Sequence, residues 1–316
     1  MVSVAVVIPN FNGADILGDC LTAVAAQTAP TARVVVVDNA SADESLTLLR
    51  RDWPDVQVVA CAENHGFAGG VNRGIAVCTE DRVAVLNSDA RPRADWLERL
   101  LAAPQDDDVW AWGSVLVSPR DGTVESAGDC WDVRGFAYKA ARGAALEALP
   151  AGSFEVFAPP GACPLVRRDV VDALGGYDER FFLYYEDLDL AFRARLHGLR
   201  ALLVPDAVVE HDLGGSGNLD RTRFYVARNS IACAAMNAPD LHPRALWKGL
   251  RHDWDAARRD GYVRAHLRGR RAALARLPGT VRERRRRQAA RVASAADVER
   301  AYGLPPAIAH LGPQWP

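Results

Sequence analysis

The chain has 316 residues, 49% of them hydrophobic and 25% charged, with a formal net charge of −2. That is globular composition, with enough chain for one large domain or two smaller ones. The longest apolar runs, such as Val34–Val37 and Ala201–Val204, fall far short of the roughly 20 residues that a membrane span needs, which excludes a transmembrane helix. Six scattered cysteines without a CxxC pair, and no basic leader before the first strand-like run, predict a reduced, cytoplasmic chain without structural zinc. The charge is uneven. From Pro243 to the end there are 17 Lys+Arg and 6 Asp+Glu, a balance of +11 that leaves −13 on the rest. A basic tail of this kind either meets an anionic partner or consists of solvated helix faces.

Strands and helices alternate along the first hundred residues. Val4–Ile8 reads as a strand, Asp15–Gln27 as a helix and Arg33–Val37 as a β-branched strand buried on both faces. Asp43–Arg50 is helical, Val56–Ala60 a strand, Ala68–Val77 a helix, Arg82–Leu86 a strand and Ala94–Leu101 a helix. This alternation predicts a mostly parallel sheet, with ligands beyond the carboxyl ends of its strands. After Val109–Ser118, hairpins and loops are expected between Asp121 and Pro160, with 121–157 reading as an acceptor-side insertion. They are followed by a short helix at Asp169–Leu174, a longer one at Glu186–His197, two short strands at Ala201–Val204 and Ala207–Glu210, and a helix at Asp220–Met236. Beyond Pro243 two or three helices are expected, broken near Pro278-Gly279, with Arg284–Arg287 the one low-complexity run.

Each of the four predicted strand ends is polar: Pro9-Asn10-Phe11-Asn12-Gly13, Asp38-Asn39, Glu63-Asn64-His65-Gly66, and Asn87-Ser88-Asp89. One polar end is ordinary turn chemistry, but four on one sheet edge describe a polar pocket. Neither GxGxxG nor a P-loop is present, which removes two phosphate-binding motifs. Asp38 can accept from a ribose or base imide, or cap a helix, although Ser41 and Asp43 are better placed to cap. Asp89 either coordinates a hard divalent cation that bridges diphosphate oxygens or makes an Asx turn. Glu186-Asp187 either supplies a general base or is the acidic first turn of a helix. His211 is either a ligand or structural.

The run VVIPNFNG, VVVVDNASAD, ENHGFAGGVNRG, LNSD, then PPGACPLVRRD, GGYDERFFLYYEDLDLAFRARLHG, VVEHDLGGSG and RFYVARNS resembles family 2 glycosyltransferases, most closely the rhamnosyltransferase-like branch. The likeness covers roughly residues 3–235 in order. It implies a GT-A type, Rossmann-like α/β/α sandwich over 1–240, with a nucleotide-sugar half (1–118) and an acceptor half (119–240). A basic helical extension over 241–316 follows.

The resemblance also assigns roles. Pro9, Asn10, Asp38 and Asn39 would hold base and ribose. Asn64, Gly66, Phe67, Asn72 and Gly74 would shape the nucleotide pocket. Asn87-Ser88-Asp89 would be a variant of the metal-binding DxD triplet, with neutral Asn87 first. His211 would join Asp89 on Mg²⁺ or Mn²⁺, and Arg228 and Asn229 would line the donor side. Gly161-Ala162 would lie under the acceptor sugar, Gly214-Gly215-Ser216-Gly217 would close over the donor, and Asp187 would be the general base with Glu186 beside it. The implied reaction is inverting transfer from dTDP-L-rhamnose or a UDP-sugar to a sugar-containing, lipid-linked or small-molecule acceptor.

A nucleotidyltransferase would need a basic Gly-rich signature after the first strand, and a non-catalytic binder would not need the retained acids. Trp131, Phe136, Tyr138 and Phe154 would either stack on an acceptor or fill a satellite core. The tail, with Trp247, Trp254, Tyr262, Leu267, Leu274 and Leu277 among its arginines, suits peripheral contact with the inner membrane face, a homodimer, or packing against the catalytic domain. The acidic body opposes nucleic-acid binding.

Overall fold

The computed structural model describes residues 2–211 and 219–312. The chain runs through β1 (Val4–Asn10), α1 (Ala14–Ala25), β2 (Arg33–Asp38), α2 (Ser45–Asp52), β3 (Gln57–Ala60), α3 (Gly66–Ala76), β4 (Arg82–Val85), β5 (Ala90–Pro92), α4 (Trp96–Ala102) and β6 (Val109–Val117). It continues with β7 (Val124–Ser126), β8 (Asp129–Asp132), β9 (Phe136–Lys139), β10 (Phe154–Val156), β11 (Leu165–Arg167), α5 (Arg168–Leu174), α6 (Glu186–Leu196), β12 (Arg200–His211) and α7 (Leu219–Asn237). Four helices follow: α8 (Pro243–Arg259), α9 (Val263–Ala275), α10 (Leu277–Ala289) and α11 (Ala295–Arg300).

A ten-stranded sheet has the order β10-β12-β6-β11-β4-β1-β2-β3, with β5 paired to β12 and β7 to β6. β3, β2, β1 and β4 are parallel neighbours, so their polar carboxyl ends share one edge, with Asn10 opposite Asp38 and Asp38 opposite Ala60. Beyond β4 the antiparallel β11 leads to β6, and β12 runs parallel to β6. β1 is buried at every residue because both sheet faces are covered, as a continuous apolar run requires. Its residues divide by alternation. Ala5 and Val7 join α3, α6 and the tail residues Val298 and Ile308 in one core, while Val4, Val6 and Ile8 join α1 and α4 in the other. This is an α/β/α sandwich.

Two expectations change, and the Arg284–Arg287 run finds its place. The two short strands after Ala201 are one strand, β12, with a register shift between Val204 and Val208; Pro205 cannot donate to the ladder, so the chain bulges there without turning. Among the described residues the tail holds four α-helices, and the expected break near Pro278 falls between α9 and α10, with Pro278 in the first turn of α10, where a missing N–H removes no helical bond. The Arg284–Arg287 run is not a free basic patch. Arg284 donates to the carbonyls of Ala235, Ala238 and Pro239, capping the end of α7, and Arg287 is buried.

The insert over 121–157 contributes β7 to the main sheet and a separate β8-β9 hairpin. Trp131 is buried, its ring centroid 4.8 Å from that of Phe192, which is itself 4.8 Å from Phe157; Tyr138 and Phe154 are buried as well. These aromatics are core, and Phe136 is half-buried against His252. All six cysteines are free, and among the described residues no helix is long and apolar enough to cross a membrane.

The tail is locked to the sandwich by a buried ionic cluster. Arg287 of α10 pairs with Asp189 of α6, with Asp178 at 2.9 Å and with Glu283 at 2.9 Å, and it donates to Asn237 Oδ1 at 2.6 Å. Asp189 is fully buried and also accepts from Arg193 at 2.9 Å and Asn237 at 2.8 Å. Removing one partner of such a cluster strands the other charge in a low-dielectric interior. Arg287→Ala is therefore expected to lower the unfolding free energy by about 3–5 kcal/mol, measured by chemical denaturation. A change below about 1 kcal/mol would mean that the cluster is solvent-screened like a surface pair.

Candidate active site

The polar edge is cross-linked within itself. Asn10 and Asp38 end neighbouring strands, both buried, and Asn10 Nδ2 donates to Asp38 Oδ1 at 3.3 Å and to Ser41 Oγ at 3.3 Å. Asp38 Oδ2 accepts from Ser41 N at 3.1 Å, so its carboxylate turns inward. Asn39 donates to Gly66 O at 3.0 Å, and Asn64 Oδ1 accepts from Gly66 N at 2.7 Å. Pro9 packs beside the α3 backbone at Gly70. The residues assigned to the nucleotide pocket thus form one connected floor. Asp43, not Asp38, caps: it accepts from Ala14 N of α1 and Ser45 N of α2.

At the neighbouring strand end, β5 follows Asp89 and pairs antiparallel with β12, Ala90 opposite His211. That register sets Asp89 Oδ1 3.3 Å from His211 Nε2. Asn87 Nδ2 is 3.4 Å from the same nitrogen, and Asn87 Oδ1 is buried without a partner. Ser88 is half-buried between them in sequence. On the far side of the ring, Glu125 Oε2 lies 2.8 Å from His211 Nδ1, both groups buried. The sequence reading missed Glu125. It arrives on β7, a three-residue strand without alternation to mark it; only the β7-β6-β12-β5 order brings it to the histidine.

Burial opposes charge on His211, but hydrogen bonds to Asp89 and Glu125 outweigh it and push the imidazole up to about 9. A carboxylate accepts from Nδ1–H, which directs the Nε2 lone pair at Asp89. A positive charge at that point is therefore favoured, whether a proton or a metal ion. No group of three or more His, Cys, Asp or Glu side chains forms a complete cation site among the described residues. Asp89, His211 and the orphaned Asn87 Oδ1 together offer two oxygens and one nitrogen. That donor set fits Mg²⁺ or Mn²⁺, with open positions left for substrate oxygens.

The acidic pair begins α6. Asp187 Oδ2 lies over Gly161, where an added Cβ would sit 2.3 Å away; this glycine is needed for the carboxylate's approach. The next residue, Ala162, accepts through its carbonyl from Asn87 N at 2.8 Å. Two short links therefore join the Asp187 carboxylate to the Asp89–His211 pair. Burial and the nearby Asp129 raise the Asp187 carboxyl, Lys139 lowers it, and the outcome is about 6. Lys139 itself pairs with Asp129 at 3.0 Å. Glu186 is buried with Oε2 unpartnered, and burial followed by the charge on Asp187 raises it well above the usual range. Burial thus holds Glu186 toward its neutral form.

The loop before α6 is strained, with Phe182, Tyr184 and Tyr185 all at positive φ, and it is clamped from several sides. Arg228 is buried and donates to the carbonyls of Arg180 and Phe181. Asn229 Nδ2 donates to the carbonyls of Phe181, Leu183 and Tyr184 at 3.0, 2.9 and 2.7 Å. Phe67 N donates to Phe182 O at 2.7 Å, and a Cβ on Gly66 would meet that carbonyl at 2.2 Å. Asn72 grips Tyr177 through both its amide atoms at 2.8 Å. Gly66, Phe67 and Asn72, expected to shape the nucleotide pocket, and Arg228, expected to line the donor side, also hold the segment before Asp187: Phe67, Asn72 and Arg228 through hydrogen bonds to its backbone, and Gly66 by leaving room for Phe182 O. The expected closing loop Gly214–Gly217 lies outside the described residues.

The sequence model of glycosyl transferase family 2 matches residues 5–175. The chain is 28% identical over 232 residues to the O-antigen biosynthesis protein RfbC of Myxococcus xanthus, covering 69% of this chain and 18% of that protein. It is 32% identical over 252 residues to pre-mycofactocin glycosyltransferase of Mycobacterium tuberculosis, covering 75% and 48%. It is 28% identical over 225 residues to N-acetylglucosaminyl-diphospho-decaprenol L-rhamnosyltransferase of the same species, covering 62% and 71%. The chain therefore spans half or less of the length of the first two. Among solved structures, mannosyltransferase PcManGT from Pyrobaculum calidifontis, in complex with GDP-Man and Mn²⁺, has the same fold, with a TM-score of 0.56 at 21% identity over 94% of this chain and 86% of that one.

Since Glu125 fixes how His211 presents Nε2, Glu125→Ala is expected to weaken Mn²⁺ binding in the presence of a nucleoside diphosphate by about tenfold or more. Glu125→Gln, which still accepts from Nδ1–H, should lose less. Titration calorimetry reads both, and unchanged affinity in the alanine variant would remove this role for Glu125.

Proposed function

The chain belongs to glycosyl transferase family 2 and has the GT-A fold, and from that premise we propose that it transfers a sugar from a nucleoside diphosphate sugar to an acceptor hydroxyl with inversion, using Asp187 as general base. The observation that carries the proposal is the placement of Asp187: an ionisable carboxylate over Gly161, one residue from the backbone bond that ties Ala162 to Asn87.

In this reaction the acceptor oxygen attacks the anomeric carbon from the face opposite the diphosphate. Its proton passes to an Asp187 oxygen as the new C–O bond forms, and the anomeric C–O bond to the diphosphate breaks with its electron pair. The Asn10–Asp38–Asn39 floor is the surface for base and ribose, on the same sheet edge. Mg²⁺ or Mn²⁺, held by Asp89 and His211 with Asn87 Oδ1 beside them, would neutralise charge on the departing diphosphate. Asp89 brings the single fixed negative charge of the triplet, so cation binding should be weak alone and tighter when diphosphate oxygens complete the coordination.

Burial holds Glu186 toward its neutral form, which leaves Asp187 the better placed of the two for the base role. The likeness to an L-rhamnosyltransferase favours dTDP-L-rhamnose as donor, with UDP-sugars next. It also favours a sugar-containing acceptor, lipid-linked or small. A donor panel with anomeric analysis of the product by NMR tests this reading. Retention of configuration, or no turnover with any dTDP-, UDP- or GDP-sugar, would overturn it.

Three outcomes follow for the base. Asp187→Asn should lower kcat by about a hundredfold or more, with the donor still bound. In the wild type the basic form is depleted as pH falls through about 6, so kcat should drop on that acid limb and level off above it; an acid limb centred near pH 4 would mean that burial does not raise this carboxyl. Gly161→Ala should lower kcat by about tenfold or more, since a displacement of about 1 Å suffices to spoil alignment. Its circular dichroism should be unchanged.

A further inference from the structure

The outer helices α8 and α9 reverse the usual arrangement of an amphipathic helix, which buries its large apolar side chains and exposes polar ones. Their inward faces are made of small residues: Gly249 and Ala257 are the buried positions of α8, and Ala265, Gly269 and Ala273 join His266 as those of α9. A Cβ on Gly269 would meet Phe224 O at 2.5 Å, and one on Gly249 would meet Arg134 O at 2.2 Å, so these helices dock by close backbone approach. Leu246 and Trp254 are half-buried, against Gly135 and His266, but other large apolar side chains point outward. Trp247 is 68% exposed and Leu274 is 64% exposed, with Leu267 and, at the start of α10, Leu277 also exposed.

Basic residues surround these side chains. On α8 the exposed Arg244 and Arg251 lie three and four residues from Trp247 and Lys248 is next to it, Arg251 being 4.0 Å from Asp255; on α9 Arg264, Arg268 and Arg271 flank Leu267 and lead to Leu274, Arg268 pairing with Asp220 at 3.3 Å. At about 100° per residue the α9 set falls within an arc of roughly 120°, so it forms one stripe. Six arginines and no acidic residue occur between Gly261 and Arg282.

We propose that the α8–α9 outer face is a docking surface for an anionic lipid bilayer, with Trp247 and Leu274 entering the interface and the flanking arginines and Lys248 meeting lipid headgroups. Charge complementarity selects this occupant: a two-fold contact with a second copy would set arginine against arginine, whereas an anionic bilayer neutralises the whole stripe at once. Isolated exposed apolar residues are ordinary on any protein. Here they recur on two helices, each framed by cations, and the combination of interfacial aromatic or leucine with Lys/Arg is what a headgroup region takes up. The proposal does not depend on which sugar is transferred.

The full chain, sedimented with vesicles of phosphatidylcholine alone or mixed with phosphatidylglycerol, tests it. The wild type should pellet with the anionic vesicles, stay in the supernatant with the neutral ones, and dissociate at high salt. Arg264→Gln combined with Arg271→Gln should weaken partitioning by roughly tenfold or more. Trp247→Ser combined with Leu274→Ser should also weaken it, and both variants should keep the wild-type unfolding midpoint because the four side chains are exposed. Wild type that remains in the supernatant with anionic vesicles would overturn the proposal, as would undiminished binding by both variants. So would sedimentation velocity showing a dimer that these substitutions dissolve while vesicle binding is absent.

Discussion

The antiparallel contact between β5 and β12 is the constraint on which the candidate site depends. β5 is three residues long, and its pairing sets Ala90 opposite His211. Two residues some 120 positions apart in the chain thereby become neighbours at 3.3 Å. The register matters because side chains alternate along a strand: a one-residue slip would turn His211 to the other face of the sheet. The bulge at Val204–Val208 sits upstream in the same strand, between two stretches that pair with β6. It permits a strand containing Pro205 to reach the site without breaking the sheet. β6 then carries β7 on its other flank, and Glu125 completes the line of carboxylate, imidazole and carboxylate.

The second dependency is mechanical. Asp187 follows three consecutive-region residues at positive φ, Phe182, Tyr184 and Tyr185, that would relax if left alone. α7 supplies Asn229 and Arg228 to the carbonyls of that loop, α3 supplies Phe67 N, and Asn72 holds the segment before it. Asp189, two residues beyond the base, is tied through Arg287 to the tail. The tail helices therefore bear on the position of the base although none of them reaches it. Their inward charges serve this internal purpose, which is why the basic excess of the tail cannot be read as one uniform external patch. Arg284 and Arg287 face inward, while Arg264, Arg271 and Lys248 face solvent.

Much of the fold was legible in the sequence because the first half obeys simple periodicities. Continuous apolar runs such as Val34–Val37 can only be strands covered on both faces, and helical spacing between them requires crossovers. The four polar strand ends were recognisable for the same reason, since parallel strands that follow one another through helices must finish at one edge. Local rules failed where tertiary pairing decided. Pro205 looked like a boundary between two strands and is a bulge inside one. Trp131 and Tyr138, which in sequence could either stack on an acceptor or fill a satellite core, are core in three dimensions.

The sequence by itself determined the alternating architecture, the polar sheet edge, the Asn87-Ser88-Asp89 and Glu186-Asp187 motifs, and the likeness to family 2 glycosyltransferases. Each of these is a local property or an order of local properties, written in residue spacing. The tertiary structure alone decided that Glu125 backs His211, that Gly161 leaves room for Asp187, that Arg228 and Asn72 hold a loop, and that Arg284 and Arg287 of an arginine run turn inward. Each of those is a meeting of residues distant in the chain. Such meetings are set by strand register and helix docking, and spacing along the sequence does not encode distance across them.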